Sequence, residues 1–314
     1  MPLHITLYVL GFIGIWLGAG LIISSVEKFS HKLKLSSFSV SFLILGLFTS
    51  LGEISVGITS VLDNDPEIFV GNLIGASIVL FTLVIPLLAI TGKKIKINPE
   101  FQNFNLISSL VVIGMPVILS FDGKIDRLDG IISLILFVFA AVLIESKRGL
   151  LQKPSTVVHH HILRVGPEIL KIVVGVLIVY LSSNSVVEQT MYFSQILRIS
   201  PFLISLVLVS LGTNLPELSL VVRTAFFKDK EIAFGDYVGS ASYNTLIFGG
   251  LTLWYGKTIF LNNSYIISLL VLIIGLFLFY LFAKSKNTLT RKEGFCLLYL
   301  YLLFVYVEVT LHVV

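Results

Sequence analysis

Charged side chains are scarce in this sequence. Lys, Arg, Asp and Glu make up 13% of its 314 residues, whereas a soluble domain carries about a quarter. Cysteine is almost absent as well, because Cys296 is the only one, so no disulfide can form within one chain. No Gly-rich phosphate loop, Cys/His metal-binding spacing or nucleophile elbow occurs. These absences exclude a disulfide framework and give no support to an enzyme, a nucleotide-binding protein or a nucleic-acid-binding protein.

Apolar residues dominate instead, at 56% of the chain and a mean hydropathy of +0.98. Apolar runs of roughly 16 to 25 residues follow one another with short polar gaps, a pattern typical of membrane-spanning helices. The sequence therefore predicts an all-α integral membrane protein of about ten transmembrane helices. The first run lacks a basic leader and a cleavage site, so we interpret it as a helix rather than a signal peptide. The predicted spans are Leu3–Val26, Phe38–Leu62, Ile68–Thr91, Leu106–Phe121, Leu128–Ile144, Ile169–Ser182, Pro201–Phe227, Ile232–Tyr255, Tyr265–Ala283 and Phe295–Val314. The stretch after Ser182 is a candidate extension of the sixth span.

The basic residues predict how these spans are oriented. If the N-terminus lies outside and the loops alternate, 18 of the 22 Lys and Arg residues fall on the cytoplasmic side. This distribution follows the positive-inside rule. We therefore expect a multi-pass protein of the cell membrane with both termini outside.

An internal repeat runs through the chain. A single shift of 164 residues, without gaps, superimposes glycines and acids of the first half on those of the second. The shift pairs Gly11 with Gly175, Thr49 with Thr213, Glu53 with Glu217, Gly71 with Gly235 and Gly75 with Gly239. Because five spans, an odd number, separate equivalent points, the second copy enters the membrane from the opposite side. Inverted repeats of this kind are typical of secondary transporters, which bind their substrates near the midplane.

The repeat also predicts the domain organisation. Residues 1–145 form the first transmembrane repeat and residues 167–314 the second, each with five spans. A cytoplasmic linker at residues 146–166 joins them. The most similar segments are residues 46–80 and 210–244.

Two acids lie in the middle of predicted spans. Glu53 in the second span and Glu217 in the seventh occupy equivalent positions of the repeats. A carboxylate at this depth costs at least ~3 kcal/mol, and no basic residue is placed to pair with either acid. A mobile cation is the natural partner, and two facing carboxylates suit a divalent ion such as Ca²⁺. The alternative is a protonated, structural acid without a role in transport, which is less credible at two equivalent positions than at one.

The residues around the acids add oxygen ligands. Gly52 and Pro216 precede the acids, and proline interrupts the preceding hydrogen-bond ladder, so the carbonyls of Thr49 and Thr213 become candidate ligands. The third and eighth spans carry Gly71, Gly75, Gly235 and Gly239, which a helix-packing role explains equally well. Packing does not explain their polar neighbours, which are Asn72, Asp236, Ser240 and Asn244.

These motifs resemble the sodium/calcium exchanger family of the cation/calcium antiporter superfamily. That family carries two repeats with a Gly-Thr-Ser-Leu-Pro-Glu motif, each followed by Gly-Asn-x-x-Gly-Ser. The segments Gly212–Glu217 and Gly235–Ser240 match closely, and Phe48–Glu53 and Gly71–Ala76 match less well. The resemblance implies a Ca²⁺ site made of Glu53, Glu217 and the carbonyls of Thr49 and Thr213. It implies flanking monovalent-ion positions at Ser50, Asn214 and Ser240, with backbone at Gly46 and Ser210.

Departures from the family pattern concern the counter-ion. The first repeat has Ala76 and Leu80 where the second has Ser240 and Asn244, so oxygen ligands are lost on the first-repeat side. Asp236 adds an ionisable group. The expected function is therefore exchange of Ca²⁺ for Na⁺ by alternating access without a bound cofactor, with a Ca²⁺/H⁺ antiporter of the same fold as the alternative.

Two rival functions need features that the sequence lacks. An intramembrane enzyme using Glu53 and Glu217 as an acid pair would need a nucleophile or an activated metal. A channel would seldom need inverted repeats. We expect membrane lipid and the transported ions to be the only partners, and a monomer to be functional. A further acid, Glu308, is predicted near the outer end of the last span, in reach of interfacial water.

Overall fold

The computed structural model describes most of the chain, in nine stretches. These are residues 1–32, 46–92, 94–96, 104–146, 165–218, 221, 230–261, 266–286 and 288–312. Residues 147–164 of the predicted linker, and parts of the second and seventh predicted spans at 38–45, 219–220 and 222–227, lie outside the described residues.

The described residues are mainly helical. The first half holds α1 (Pro2–Lys32), α2 (Gly46–Thr49), α3 (Leu51–Leu62), α4 (Pro66–Val79), α5 (Ile85–Gly92), α6 (Phe104–Leu119) and α7 (Arg127–Ser146). The second half holds α8 (Val165–Leu197), α9 (Pro201–Ile204), α10 (Ser210–Thr213), α11 (Lys230–Tyr255), α12 (Ile266–Lys286) and α13 (Arg291–His312). Two π-helical turns, Leu80–Val84 and Ser205–Val209, join α4 to α5 and α9 to α10.

Five helical stretches among the described residues are long and apolar enough to cross a membrane. They are Pro2–Ile22, Pro66–Gly92, Gly166–Leu197, Ile266–Ser285 and Arg291–Thr310. Shorter apolar helices are Leu51–Leu62, Leu106–Asp122 and Pro201–Thr213. The predicted sixth span, Ile169–Ser182, continues in the structure as α8 to Leu197, an extension that the sequence had left open. Polar residues such as Asn184, Gln189 and Thr190 lower the hydropathy there, yet each hydrogen-bonds to a side chain of α1 or α3.

The π turn before α5 has a local cause. Pro86 follows it at the second position of α5 and has no backbone N–H, and its ring would crowd a carbonyl one turn earlier. The chain instead closes a wider turn, in which the amide of Ile85 donates to the carbonyl of Leu80. Turns of this type within α-helices often lie at functional sites.

Two small antiparallel sheets, which the sequence did not predict, connect the halves of the chain. Strand β1 (Lys94–Lys96) pairs with β4 (Thr288–Thr290), and β2 (Lys124–Ile125) pairs with β3 (Ile259–Phe260). Ile95 opposes Leu289 in the first sheet, and Ile259 opposes Ile125 in the second. The shift of 164 residues maps one of these pairs onto the other. The same register therefore recurs with the two repeats exchanged.

The largest apolar core lies among the helices other than α1 and α8. It includes Phe69, Phe81 and Tyr237, all fully buried. Helices α1 and α8 pack against each other and against the rest through two smaller clusters, one of which contains Ile15 and Val186. The acids of the predicted site lie where α2, α3, α4, α10 and α11 meet.

Candidate ion-binding site

Two equivalent helix breaks position the predicted acids. Ser50 interrupts the second predicted span between α2 and α3, with φ −76° and ψ 8°. Asn214 interrupts the seventh, directly after α10, with φ −87° and ψ 13°. Both residues adopt the sparsely populated bridge conformation and are related by the 164-residue shift. Each acid therefore lies in the first helical turn after a break, where a negative charge is favoured by the helix dipole.

The second break lies two residues before Pro216. The chain leaves the helix at Asn214, and residues 215–218 are helical again. Pro216 is thus the second residue of the new helix, where its missing N–H would have no helical partner in any case. Proline favours the restart of this helix, and Asn214 is the residue at the break.

Glu53 is almost completely buried, at 1% exposure. The Nδ2 amide of Asn214 donates to its Oε1 at 3.2 Å and also to the carbonyl of Ser210 at 2.8 Å. Among the described residues, Glu53 Oε2 and Asn214 Oδ1 have no hydrogen-bond partner. Buried polar atoms are nearly always satisfied, so these two oxygens are available as ligands for a cation.

Glu217 is fully buried at one end of a chain of hydroxyl groups. Ser240 donates from Oγ to Glu217 Oε1 at 3.2 Å. The Oγ atoms of Ser240 and Ser50 are 3.1 Å apart, and Ser50 Oγ lies 2.8 Å from the carbonyl of Gly46. This chain connects the second acid with α11 and with the first helix break.

Further oxygens lie on neighbouring helices. Thr213 donates from Oγ1 to Asn72 Oδ1 at 3.1 Å, and Thr49 donates from Oγ1 to the carbonyl of Gly46 at 3.3 Å. Asn244 donates from Nδ2 to Ser77 Oγ at 3.3 Å, and its Oδ1 has no hydrogen-bond partner among the described residues. The polar network therefore extends along α4 and α11.

Glycines allow these helices to approach closely. A Cβ on Gly71 would collide with the carbonyl oxygen of Phe202, and one on Gly75 with that of Leu206. A Cβ on Gly46 would lie 2.9 Å from the backbone of Gly239 and Ser240. Helix α4 thus packs directly on the segment Pro201–Thr213, and α2 packs directly on α11. The contact of Gly75 with Ser210 and that of Gly46 with Gly239 are exchanged by the 164-residue shift.

The structure therefore brings together most of the residues that the sequence singled out. Hydrogen bonds connect Glu53, Asn214 and Ser210 in one group, and Glu217, Ser240, Ser50 and Gly46 in another. Asn244 instead contacts Ser77. The side chain of Asp236, and Gly235 beside it, lie outside the described side chains.

Sequence reasoning missed two residues near the acids. Tyr237, fully buried, donates from its hydroxyl to the backbone carbonyl of Glu217 at 3.2 Å. A tyrosine inside an apolar span was the available signal, because a buried phenol usually needs a hydrogen-bond partner. Ser77, one position after Ala76, accepts a hydrogen bond from Asn244 and donates one to the carbonyl of Leu73.

Within the described part of the chain, no three His, Cys, Asp or Glu residues cluster as metal ligands would. A cation held here would take hydroxyl, amide and carbonyl oxygens besides the carboxylates. Oxygen ligands of this kind suit hard cations such as Ca²⁺ and Na⁺.

The prediction that Glu308 reaches interfacial water is wrong. Glu308 is 3% exposed, and the hydroxyl of Ser268 donates to its Oε1 at 2.8 Å.

Long apolar helices around a buried, oxygen-lined cluster are the features of a multi-pass membrane protein of the transporter class. The sequence matches the profile of the sodium/calcium exchanger protein family over residues 3–144 and 168–310, so the chain belongs to that family. This confirms the resemblance drawn from the two motifs.

Solved structures of the sodium-calcium exchanger NCX_Mj are similar over nearly the whole chain. One, soaked with 2.5 mM Na⁺ and 10 mM Sr²⁺, is 25% identical, with a TM-score of 0.67 over 97% of this chain and 98% of that one. Another, soaked with 2.5 mM Na⁺ and 0.1 mM Ca²⁺, has the same values. An uncharacterized membrane protein of Methanocaldococcus jannaschii is 28% identical over 131 residues, and this alignment covers 42% of each chain.

Proposed function

We propose that this protein is a secondary antiporter that exchanges Ca²⁺ for Na⁺ by alternating access. Membership of the exchanger family and the likeness to structures soaked with Na⁺, Ca²⁺ and Sr²⁺ support this function. The observation that carries the proposal is the environment of Glu53. Its carboxylate is buried, its Oε2 has no hydrogen-bond partner among the described residues, and the structure gives it no ion pair there. A buried carboxylate needs a positive partner, and a transported cation supplies it.

The proposed Ca²⁺ ligands are Glu53, Glu217 and the carbonyls of Thr49 and Thr213. Ser50, Asn214 and Ser240, with the backbone of Gly46 and Ser210, flank them as monovalent-ion positions, and Asn244 and Asp236 extend the set. The hydrogen bonds among these residues support the grouping, because each of the two hydrogen-bonded groups joins residues of both repeats.

The proposed architecture is ten spans in two inverted repeats, residues 1–145 and 167–314, joined by the cytoplasmic linker 146–166. Support comes from features that recur under the 164-residue shift, namely the helix breaks, the glycine contacts and the register of the two sheets. Both termini are proposed to lie outside, and a monomer embedded in lipid is proposed to be the functional unit.

Exchange rather than leakage follows from the two acids. Two bare carboxylates within one buried site repel each other strongly at low effective dielectric. A cation must therefore occupy the site whenever the protein changes its access from one side of the membrane to the other. One ion can drive the other by replacing it, without direct contact between them.

A second candidate, Ca²⁺/H⁺ exchange, is favoured by the number of hydrogens that the contacts beside Glu217 require. Three contacts connect its carboxyl group, Ser240, Ser50 and the carbonyl of Gly46, at 3.2, 3.1 and 2.8 Å. Each contact needs one hydrogen, but the two hydroxyls have only two and the carbonyl has none. If all three form together, Glu217 is protonated and donates the third hydrogen to Ser240, which reverses the direction that the bond has when Glu217 is a carboxylate.

The test is uptake of radioactive Ca²⁺ into proteoliposomes under an outward Na⁺ gradient or an outward H⁺ gradient. Glu53→Gln and Glu217→Gln are compared with wild type. Glu308→Gln is the matched control, because Glu308 is also a buried glutamate within a helix but bonds to Ser268 on α12.

Na⁺-driven uptake that both site variants lose and the control keeps is the expected result. Uptake driven only by H⁺ would favour the second candidate. If neither gradient drives uptake in the wild-type protein, Ca²⁺ exchange is refuted. If the control loses uptake as completely as the two site variants, the assignment of Glu53 and Glu217 is refuted.

A further inference from the structure

Helix α1 lies against both halves of the candidate site. It contacts α2 and α3 of the first repeat and α10 of the second. Phe12 and Ile15 are one turn apart on α1 and so lie on the same face of the helix. Phe12 is half-buried and Ile15 is fully buried, and both belong to the smaller apolar cluster that contains Val186. This face of α1 meets the backbone at both helix breaks.

Phe12 covers Gly212, the residue directly before Thr213. A Cβ added to Gly212 would overlap the Phe12 ring and would lie 2.6 Å from its Cγ, the ring atom nearest the backbone. Turning the ring about its own axis leaves Cγ in place, so the ring cannot make room in this way. Because Gly212 has no side chain, the ring packs directly on the backbone that leads into Thr213.

Ile15 packs in a similar way on Gly52, the residue directly before Glu53. A Cβ added to Gly52 would lie 3.1 Å from Ile15 Cγ2, 3.3 Å from Thr213 Cβ and 3.4 Å from the Thr213 carbonyl oxygen. That carbonyl is one of the proposed Ca²⁺ ligands, and it lies beside the backbone that leads into Glu53. The ring-covered backbone before Thr213 and the close neighbour at Gly52 together fix where this carbonyl lies.

The equivalent positions in the other repeat carry different residues. The 164-residue shift places Phe12 on Val176 and Gly212 on Phe48. Val176 is 48% exposed, and the side chain of Phe48 lies outside the described side chains. A phenylalanine facing a glycine is therefore particular to the second break and is not required by the repeat.

We propose that Phe12 is a positioning residue for transported Ca²⁺, which acts by fixing the peptide between Gly212 and Thr213 and so the place of the Thr213 carbonyl. This inference rests on the proposed function, in which that carbonyl is a Ca²⁺ ligand. Phe12 has no oxygen to offer and acts on the ion only through this backbone.

The chemistry of Ca²⁺ binding makes affinity the sensitive quantity. Oxygen ligands lie about 2.3–2.6 Å from the ion, so even a small displacement of the Thr213 carbonyl weakens the contact. Residues that orient metal ligands without touching the metal contribute about 10- to 100-fold to its affinity. Removing the Phe12 ring leaves space beside Gly212, and the backbone there is no longer fixed. The carboxylates are carried by other segments, so the loss of affinity is partial.

The experiment measures Na⁺-driven Ca²⁺ uptake in proteoliposomes over a range of Ca²⁺ concentrations, which separates affinity from maximal rate. In Phe12→Ala the half-saturating Ca²⁺ concentration is expected to rise about tenfold, the lower end of the effect of residues that orient metal ligands, while the maximal rate is kept. Phe12→Leu, which retains a bulky apolar side chain, is expected to restore most of the affinity.

Phe193→Ala is the matched control. Phe193 lies in the same apolar cluster as Phe12, but its ring packs on the rings of Tyr8 and Tyr192. The control variant therefore loses a ring from the cluster and is expected to keep the Ca²⁺ affinity of wild type.

Gly212→Ala tests the same contact from the other side. It is expected to raise the half-saturating Ca²⁺ concentration, because its methyl group overlaps the Phe12 ring. The double variant Gly212→Ala/Phe12→Ala gives the methyl group room, so it is expected to bind Ca²⁺ more tightly than Gly212→Ala alone. Residues in contact show such coupling, whereas the effects of distant residues combine independently.

Three results would overturn the inference. They are wild-type Ca²⁺ affinity in Phe12→Ala or Gly212→Ala, an equal loss of affinity in Phe193→Ala, and a double variant in which the two single losses simply multiply. A lower maximal rate at unchanged affinity counts as the first of these, since it limits Phe12 to general packing.

Absence of Na⁺-driven uptake in wild type would instead refute the proposed function. The rise in unfolding temperature that Ca²⁺ produces in detergent then compares affinity in the same variants. A smaller rise in Phe12→Ala than in wild type and Phe193→Ala supports the inference, and equal rises overturn it.

Discussion

Replacing Gly75 by alanine tests whether close helix contact organises the candidate site. The added Cβ would collide with the carbonyl oxygen of Leu206 and lie 2.8 Å from the Cβ of Ser210. Both neighbours belong to the helical segment that leads to Thr213 and the second break, and a carbonyl oxygen cannot rotate away as a side chain does. Helix α4 must therefore move away from this segment by about 1 Å to restore ordinary contact distances.

This movement has a calculable cost. Thr213 Oγ1 and Asn72 Oδ1 are now 3.1 Å apart, and an added separation of about 1 Å exceeds the range of a hydrogen bond. Overpacking typically costs about 1–3 kcal/mol, the lost hydrogen bond about 1 kcal/mol, and alanine returns about 1 kcal/mol of helix propensity. The net expectation is a loss of about 2 kcal/mol in stability, with Thr213 displaced from the site.

Thermal unfolding in detergent and Ca²⁺ uptake in proteoliposomes measure the two effects. Gly75→Ala is expected to unfold at a lower temperature and to lose most of its uptake. Gly250→Ala is the matched control, because a Cβ at that helical position meets nothing within 4 Å, and it should be as stable as wild type or more so. Wild-type stability and uptake in Gly75→Ala would refute the packing argument.

Three further predictions concern single side chains. Ser240→Ala removes a hydroxyl bonded to Glu217, and because hydrogen bonds to charged groups are worth about 1.5–3 kcal/mol, cation affinity in concentration-dependent uptake should fall at least about tenfold. Tyr237→Phe removes the bond to the Glu217 carbonyl and should slow uptake about fivefold, as expected for about 1 kcal/mol. Burial, and then the charge of Asp63, raise the pKa of Asp65 in the loop before α4. The folded protein therefore binds that proton more tightly than the unfolded chain, and stability falls as pH rises through the raised pKa. Asp65→Asn should accordingly unfold at a higher temperature than wild type at neutral pH, with the difference vanishing in acid.

Each of these predictions has an outcome that would contradict it. Ser242→Ala is the control for Ser240, because within the part of the chain that the structure describes the Ser242 hydroxyl bonds to the carbonyl of Val238, one turn away, and to no acid. Equal affinities in the two serine variants would show that the hydroxyl chain does not matter for the cation. Unchanged uptake in Tyr237→Phe would limit the phenol to a packing role. A stability gain in Asp65→Asn that persists at acid pH would assign the effect to something other than charge.

Much of the candidate site could be predicted because its signals are local. Glu53 and Glu217 are acids within apolar runs, and the 164-residue shift marks them as equivalent without any three-dimensional information. The contacts could not be predicted, because they join segments far apart in sequence. The bond between Asn214 and Glu53 spans 161 residues, and that between Asn244 and Ser77 spans 167. Hydropathy also left the end of the sixth span open, since it counts Gln189 as polar whether or not a neighbouring helix provides a partner.

The two halves of the site have the same backbone and different side chains. Ser50 and Asn214 share the bridge conformation, yet one has a hydroxyl, which both donates and accepts, and the other has an amide group that donates to Glu53. Ser240 likewise supplies a hydroxyl to Glu217, whereas its repeat equivalent, Ala76, has none to offer. Backbone symmetry suits alternating access, because each half can adopt the conformation of the other. The hydrogen-bond partners of the two carboxylates therefore differ, because the Asn214 amide nitrogen can only donate to Glu53 whereas the Ser240 hydroxyl beside Glu217 can donate or accept. The two acids thus share a backbone setting but not the same hydrogen-bond chemistry.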